Sequence, residues 1–509
     1  MLARLQSMAL IGIEATACEV EVDVAPRGFE KTSIVGLPDT AVKESLERVH
    51  SALNNSGYSW PEYKTVINLA PADIKKEGPA FDLPIALGMI FGGDTGTPER
   101  VGRYLIAGEL ALDGRVRPIK GALSMALLAR DRGVVGVIVP RDNAPEAAVV
   151  TDVEVIGIET LAEAVGFLTE QLPLEPTAVD IQAVFDRASR YEEDFAEVRG
   201  QESAKRALTL AAAGGHNVLL IGPPGTGKTM LSKRLPTILP PLTLTESLET
   251  TRIYSAAGKL PPGLPLMARR PVRMPHHSAS GPALVGGGSI PQAGEVSLAH
   301  HGLLFLDEFP EFPRTILETL RQPLEDGVVT IARSHSAVAF PAQFMLVAAM
   351  NPCPCGYFTD PNKPCKCSPT QIDKYLSRIS GPLIDRIDIH IEVPPVAYRE
   401  LRGERDGSDS ASLREQVIRA RQIQRRRFGE QSTMINARMT SRLLRKYCKL
   451  DEAGEQLLRQ ALTELGLSAR AHDKILRVAR TIADLAGQEH LLPEHVSEAI
   501  MYRRLDRQL

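Results

Sequence analysis

The sequence predicts an α/β fold: a parallel-sheet nucleotide-binding core with a helical C-terminal lid, preceded by a smaller α+β domain. Three observations predict it. Short apolar strands alternate with helices between Asp194 and Pro395, which implies a parallel sheet closed by crossover connections. The first of those strands, Asn217–Ile221, runs into a loop of glycine and proline and then into a helix. After Pro395 the chain reads as helix after helix, broken by a polar loop from Gly403 to Ser412.

Composition sets the outer limits. Across 509 residues, 59 Lys and Arg face 62 Asp and Glu, a formal charge of −3. At about 100–200 residues per domain, this length holds two to four domains. A composition 43% hydrophobic and 24% charged excludes extensive disorder and fibrous repeats. No apolar run approaches the roughly 18 residues that span a bilayer, so no membrane partner is expected. Met1–Glu14 carries one Arg, a short apolar patch and then an acid, a poor secretory signal; the expected location is cytoplasmic. The near-neutral total excludes a general polycation, but the charge is uneven. From Tyr398 onward 22 Lys and Arg face 16 Asp and Glu, which is +6 and leaves −9 for the rest.

The elements follow in order. In the first domain, residues 1–172, Cys18, Val20, Val22 and Val24 alternate with acids, the period of a half-buried strand. Val42, Leu46, Val49 and Leu53 share one helical face. Thr65–Leu69 and Val134–Val139 read as strands, and Phe81–Ile90 as a buried helix. Residues 173–193 open on prolines among acids and read as a linker. The core, residues 194–395, offers the helix Ser203–Ala213 and apolar strands at Asn217–Ile221, Gly302–Leu306 and Phe344–Ala349. Val328–Phe340 alternates, turns at 334–336 and alternates again, the pattern of a hairpin. Helices fill residues 396–509.

Gly222-Pro223-Pro224-Gly225-Thr226-Gly227-Lys228-Thr229 fits GxxxxGK[ST] between a strand and a helix. Its glycines let backbone N–H groups converge on phosphate oxygens, and the helix N-terminus adds positive potential. Lys228 is the candidate for the β/γ-phosphates and the Thr229 hydroxyl for Mg²⁺, so ATP with Mg²⁺ is the expected ligand. Leu303–Glu308 is an apolar strand ending in two acids. Asp307 suits the metal, held through water, and Glu308 suits polarising the attacking water. A third strand ends at Asn351-Pro352, where Asn351 would orient that water; the same dipeptide also makes an ordinary turn.

Cys353-Pro-Cys355 and Cys365-Lys-Cys367 form a CxC–x9–CxC constellation. Four thiolates at this spacing close a tetrahedron around Zn²⁺ and leave no open position for catalysis. Free thiols or a redox pair are the alternatives. Cys18 and Cys448 read as core residues.

These strings carry a resemblance. Asp194–Gln201 (DFAEVRGQ), the phosphate loop, the LFLDE strand, Asn351 and the helical C-terminal region resemble the AAA+ ATPases. Pro275–Ser280 (PHHSAS), Leu284–Ser289 (LVGGGS) and Gly294–His300 (GEVSLAH) are similar to the magnesium-chelatase-like branch. Within it they look like the bacterial ComM/YifB family of competence-related proteins, over essentially the whole chain. The resemblance implies a ring-forming module, a homo-hexamer with ATP between subunits. The work it implies is branch migration on single-stranded or branched DNA, as incoming strands are integrated in natural transformation. Recombination proteins are then expected partners.

The resemblance also assigns residues. It makes Arg386, in Leu383–Ile387 (LIDRI), an arginine finger for a neighbour's γ-phosphate, with Arg378 a rival, and Arg470, in Leu467–Arg470 (LSAR), a second sensor arginine. Arg269, Arg270, Arg273, the pair His276-His277 and Gly286–Ser289 look like an inserted segment shared with replicative helicases of the minichromosome-maintenance type. Arg333 and His335 would lie near a hairpin tip that lines the pore and touches DNA phosphates; an exposed, solvated hairpin is the alternative. Arg419, Arg421 and Arg425–Arg427 crowd one helix, which fits a phosphate-tracking surface and equally a solvated face. No aromatics interleave with them, which disfavours base stacking.

In the first domain, Lys75–Ala86 (KKEGPAFDLPIA), Gly108–Gly114, Val116–Ile119 and Val137–Pro140 are similar to the S5-type proteolytic domain of Lon proteases. A Ser–Lys dyad needs a hydroxyl nucleophile and a lysine of depressed pKa. Ala80 stands at the serine position and Leu123 at the lysine position, with Lys120 nearby. No peptidase activity is expected, and the domain reads as an assembly or DNA-binding module. Two further function classes share the pattern. A chelatase-like motor would remodel a protein partner, and a non-catalytic scaffold would keep its function after Lys228→Ala.

Overall fold

The computed structural model describes residues 2–25, 29, 31–93, 96–288, 291–333, 336–396, 408–429, 432–503 and 505. The chain divides into two compact units. One comprises residues 1–187, 243–268 and 334–340; the other comprises 188–242, 269–333 and 341–509.

The first unit is built on a seven-stranded mixed sheet. Its strands are β1 (Leu2–Ile11), β2 (Glu14–Val24), β3 (Thr32–Val35), β4 (Thr65–Ala70) and β5 (Tyr104–Ile106), followed, after the small hairpin β6 (Glu109–Leu110)–β7 (Val116–Arg117), by β8 (Gly136–Pro140) and β9 (Glu154–Ile158). The order across the sheet is β3-β4-β2-β1-β5-β8-β9. The alternation read at Cys18–Val24 is β2, whose Cys18, Val20 and Val22 are buried as its acids turn outward. The helix Thr40–Asn55 starts where the Asp39 carboxylate accepts from the Val42 amide at 2.8 Å, and it buries Val42, Val49 and Leu53.

Two segments assigned elsewhere by the sequence belong to this unit. The 173–193 linker carries a helix, Ile181–Ala188, whose Ile181, Val184 and Phe185 pack on the cluster holding Leu123 and Val137. The segment 243–268, placed by the sequence inside the ATPase core, contributes Leu248 and the buried Leu266 to that same cluster. Its helix Leu244–Ala256, opened by a Thr243–Glu246 capping box, also carries Arg252, which reaches Glu14 at 2.5 Å. Apolar periodicity shows that a face will be buried, not against which distant segment.

The second unit holds the nucleotide-binding sheet. In chain order come β10 (Val218–Ile221), β11 (Val272–Arg273), the ribbon β12 (Gly286–Gly287)–β13 (Gln292–Ala293), β14 (Leu303–Leu306), β17 (Met345–Met350) and β18 (Ile389–Glu392). Before β17 come β15 (Val328–Arg333), in this unit, and β16 (Ser336–Pro341), whose residues 336–340 belong to the first; they are the two strands expected over 328–340. The five-stranded sheet is parallel, in the order β11-β14-β17-β10-β18. β17 lies between β10 and β14, with Ile221 opposite Met350 and Leu306 opposite Ala348. The residues that follow these three strands therefore emerge side by side at one edge.

Among the described residues, five C-terminal helices follow: Ser410–Phe428, Ser441–Tyr447, Glu452–Leu465, Ala469–Leu485 and Pro493–Met501. Leu413, Val417 and Ile475 share one core with Leu208 of the helix Glu202–Gly214 and Leu231 and Leu235 of the helix Lys228–Ile238. Among the described residues, no helix is long and apolar enough to cross a membrane.

Candidate functional site

The phosphate loop joins β10 to the helix Lys228–Ile238. Gly225 (φ +80°) and Gly227 (φ +93°) are in the left-handed region, and a Cβ on either would meet nothing within 4 Å. The loop thus lays bare backbone in front of a helix N-terminus, the surface a polyphosphate needs. Gln201 ties the loop from outside, its side-chain amide donating to the carbonyls of Pro394 (2.6 Å) and Thr226 (3.3 Å).

Lys228 is only 8% exposed. Its ammonium donates to the carbonyls of Gly222 (2.6 Å) and Pro223 (2.8 Å) and to Oδ1 of Asn351 (3.2 Å). Burial lowers its pKa to about 8, against the opposing pull of the Asp307 charge. Thr229 Oγ1 donates to Oδ2 of Asp307 at 2.7 Å. The side chains chosen from three separate strand ends are therefore in hydrogen-bonding contact. The donor set, a hydroxyl and a carboxylate beside bare backbone amides, suits a hard divalent cation bound with phosphate.

Glu308 follows Asp307 with φ +51°, which turns it off the strand line. Its carboxylate lies 3.1 Å from Nδ1 of His277, in the PHHSAS string. The sequence places His277 in the basic inserted segment and does not mark it as a partner of Glu308.

Arg386 and Arg470 lie elsewhere. Both line a cleft of about 590 Å³ with Asn217, Glu325, Asp388 and Arg477. Asn217 and Asp388 directly precede β10 and β18, so this cleft is at the N-terminal ends of the strands, whereas the phosphate loop is at the C-terminal end. Four residues of β10 separate the two, roughly 13 Å at about 3.3 Å per residue. Arg386 donates to the Pro382 carbonyl (2.7 Å) and pairs with Glu325, and its buried Nε has no partner among the described residues. Glu325 is a residue the sequence reading missed, and nothing in its spacing marks it. Arg378 pairs instead with Glu311 at 2.8 Å on the surface.

The four cysteines converge. Cys353 Sγ is 3.4 Å from Cys355 Sγ and 3.7 Å from Cys365 Sγ, and Cys355 and Cys365 are 3.6 Å apart. With Cys367, all four sulfurs lie within 4.8 Å of one another. Cys18 and Cys448 are buried singly in the core.

Several basic residues are committed internally. Arg269 donates to the Ala188 carbonyl (2.7 Å), Arg270 to those of Pro240 and His301 (2.7 Å each), and Arg273 pairs with Glu295 (2.7 Å). On the helix Ser410–Phe428, Arg421 caps the Ala212 carbonyl and Arg427 binds Asp484, which leaves Arg419, Arg425 and Arg426 exposed. The basic face is thus narrower than the sequence suggests. His335 and the Arg333 side chain lie outside the described residues.

In the first unit Ala80 lies in the short turn Pro79–Phe81 ahead of the buried helix Asp82–Phe91 and offers no nucleophile, and Leu123 is fully buried. Lys120 lies on the surface, its aliphatic chain against Gly258. No hydroxyl–lysine pair forms at these positions.

Comparison with known proteins agrees with this architecture. The profile described as "Magnesium chelatase, subunit ChlI" matches residues 194–401, "Subunit ChlI of Mg-chelatase" matches 20–143, and "Magnesium chelatase, subunit ChlI C-terminal" matches 407–503. The chain is 44% identical over 512 residues to "Competence protein ComM" of Haemophilus influenzae, covering 100% of this chain and 98% of that protein. It is 42% identical over 510 residues to "Uncharacterized protein YifB" of Escherichia coli, with the same coverage. The Lon protease of Halothermothrix orenii is 31% identical over 132 residues, 25% of this chain. With relatives matched from end to end and a phosphate loop, acid strand and Asn351 in contact on a parallel sheet, this chain belongs to the ComM/YifB family of magnesium-chelatase-like AAA+ ATPases.

Proposed function

We propose that this protein is an ATP-driven ring motor, a homo-hexamer that migrates DNA branches as donor strands are integrated in natural transformation and recombination. One observation carries the reading: Arg386 and Arg470 share a cleft at the opposite end of the strands from the phosphate loop of their own chain. Neither guanidinium reaches that loop, so any γ-phosphate they serve belongs to a neighbouring subunit. The printed name of the Haemophilus influenzae relative, a competence protein, supports the biological setting. The cell compartment of such work is the cytoplasm, with recombination proteins as partners.

In this reading the backbone of Gly222–Thr229 and the Lys228 ammonium hold the triphosphate. Thr229 and Asp307 would hold Mg²⁺, which neutralises phosphate charge when bound. Glu308 takes the proton of the attacking water, Asn351 orients that water, and Arg386 and Arg470 balance the charge that develops on a neighbour's γ-phosphate. Arg419, Arg425 and Arg426 offer a surface for DNA phosphates.

The test is a labelled three-strand branched DNA incubated with the wild type, Lys228→Ala and Glu308→Gln, with and without ATP, at two salt concentrations. Displacement by the wild type alone, with ATP and weakening at high salt, is expected. Equal displacement by all three proteins overturns the motor, and ATP hydrolysis indifferent to DNA but stimulated by a protein partner favours a chelatase-like remodeller.

A further inference from the structure

The loop 353–367 does not project away from the ATP site; it returns to it by three routes. Cys353 is two residues beyond Asn351 and fully buried. After Cys367, Ser368 opens the helix Pro369–Leu376 with a capping box, its amide donating to Gln371 at 2.9 Å. That helix carries the buried Tyr375, whose hydroxyl faces the backbone amide of Asn351. In the middle of the loop, Gly356 (φ +86°) sits so close to the phosphate loop that a Cβ there would be 2.8 Å from Cδ of Pro224.

The sulfur spacing identifies what the loop is built around. Four ligands at a Zn–S distance of about 2.3 Å sit about 3.8 Å apart along the edges of a tetrahedron. The three spacings here are 3.4, 3.6 and 3.7 Å. A disulfide needs about 2.05 Å, and clusters of several irons need their thiolates further apart than one tetrahedron allows. An amide points at the cluster as well: that of Cys367 lies 3.4 Å from Sγ of Cys365. Such N–H groups stabilise thiolate ligands.

We infer that Cys353, Cys355, Cys365 and Cys367 bind one zinc ion, and that this ion clamps Asn351 and the Pro224 side of the phosphate loop in register for hydrolysis. Four thiolates around one Zn²⁺ make a centre of charge −2, and Lys363 and Lys366 stand on the same loop. The ion has four protein ligands and acts by position, not on the substrate. The zinc site stands by itself; its effect on turnover rests on the ATPase reading above.

The experiment uses the full-length protein. Zinc content is measured by elemental analysis, and zinc release is followed on titration with a mercurial, before and after re-addition of zinc in reductant. One zinc per chain, released as the four clustered thiols are modified, is expected. Substoichiometric metal, or stoichiometric iron in its place, overturns the site. Fluorescent-nucleotide binding and ATP turnover are then followed through removal and restoration of zinc. Turnover falling about 10²-fold and recovering with zinc is expected, since misplacement near 1 Å costs that much. Turnover unchanged in the zinc-free protein overturns the clamp. Cys367→Ser should lose zinc, whereas Cys367→His, still a zinc ligand, should keep zinc and turnover; zinc retained by the Ser variant overturns the assignment of Cys367. A wild type that binds zinc but never hydrolyses ATP overturns the ATPase reading and the clamp while leaving the zinc site standing.

Discussion

Arg386 donates to the carboxylate of Glu325 on the wall of the cleft that Arg470 also lines. The guanidinium is largely covered, at 13% exposed, while Glu325 is 57% exposed, and its carboxyl is held below the usual range first by the Arg386 hydrogen bond and charge, with Arg470 contributing. The acid thus sits where a neighbour's phosphate would have to arrive. With the carboxylate this open to water, the pair contributes about 1 kcal/mol or less, a factor of up to about five. Glu325→Gln should therefore lower, by up to about fivefold, the protein concentration at which ATP turnover sets in. A concentration dependence identical to the wild type rules out Glu325 as a competitor for the finger.

The same geometry predicts complementation. Arg386→Ala should lose about 10³-fold in turnover, the scale of an arginine finger, and Lys228→Ala should be inactive. Mixed together, the two variants should regain activity that neither has alone, because a Lys228-intact loop can meet an Arg386-intact neighbour. Activity in the mixture no greater than the sum of the two would place the finger in its own subunit or out of the reaction.

Lys228 gives a pH signature. Its pKa, lowered to about 8 by burial, lies well below the ordinary lysine value near 10.4. A bound phosphate favours the ammonium and raises it again. Above pH 8 nucleotide binding must therefore take up a proton, and affinity should fall about tenfold per pH unit, whereas below pH 7 neither should occur. Calorimetry in two buffers of different ionisation heat reads the proton directly. Equal heats at pH 9 would mean that the side chain is already charged before the ligand arrives.

His277 should act on Glu308. At 3.1 Å it engages the carboxylate proposed to take the proton from water. His277→Ala frees that carboxylate, and basal turnover should rise two- to fivefold, the range for a partly exposed pair worth about 1 kcal/mol or less. Glu308→Gln should instead bind nucleotide without turning it over. A His277→Ala variant as slow as Glu308→Gln would make the imidazole part of the chemistry rather than a restraint upon it.

Local chemistry was legible in the sequence; assembly over distance was not. Lys228, Thr229, Asp307 and Asn351 could be chosen because glycine-rich loops and apolar strand ends are local patterns, and the order β14-β17-β10 then brings them together. β18 was missed: it is four residues long, with His390 in its middle, and it is a strand only because β10 offers it a free edge. The long strand β1 was read only as an apolar patch, since its burial depends on pairing with β2 on one side and β5 on the other. Arg421 and Arg427 read as part of a basic face because a sequence does not show which carbonyl or carboxylate will claim an arginine.

The ion network at the foot of β10 and β18 gives the last prediction. Asp388, nearly fully buried, accepts from the Asn217 amide at 3.0 Å and from the Lys474 ammonium, with His216 Nδ1 at 3.6 Å. Burial would raise its pKa, but the Lys474 charge and the His216 contact outweigh it and hold the carboxyl below its usual range. A depressed carboxylate pKa contributes stability above the unfolded value near 3.9 and loses it only as pH falls further. His216 works in the opposite direction: buried, with its pKa lowered by desolvation, it stays neutral while the unfolded chain takes up a proton below about 6.5. Stability should therefore begin to fall near pH 6.5, well before Asp388 titrates. Asp388→Asn leaves Lys474 buried without its counter-charge, and removing one partner of such a pair costs about 3–5 kcal/mol. Denaturant unfolding at pH 7.5 should show that loss, and Asp388→Asn with Lys474→Met should recover much of it. A single variant as stable as the wild type would mean that Lys474 escapes to solvent, and the helix bearing Arg470 is then not anchored to the sheet through this pair.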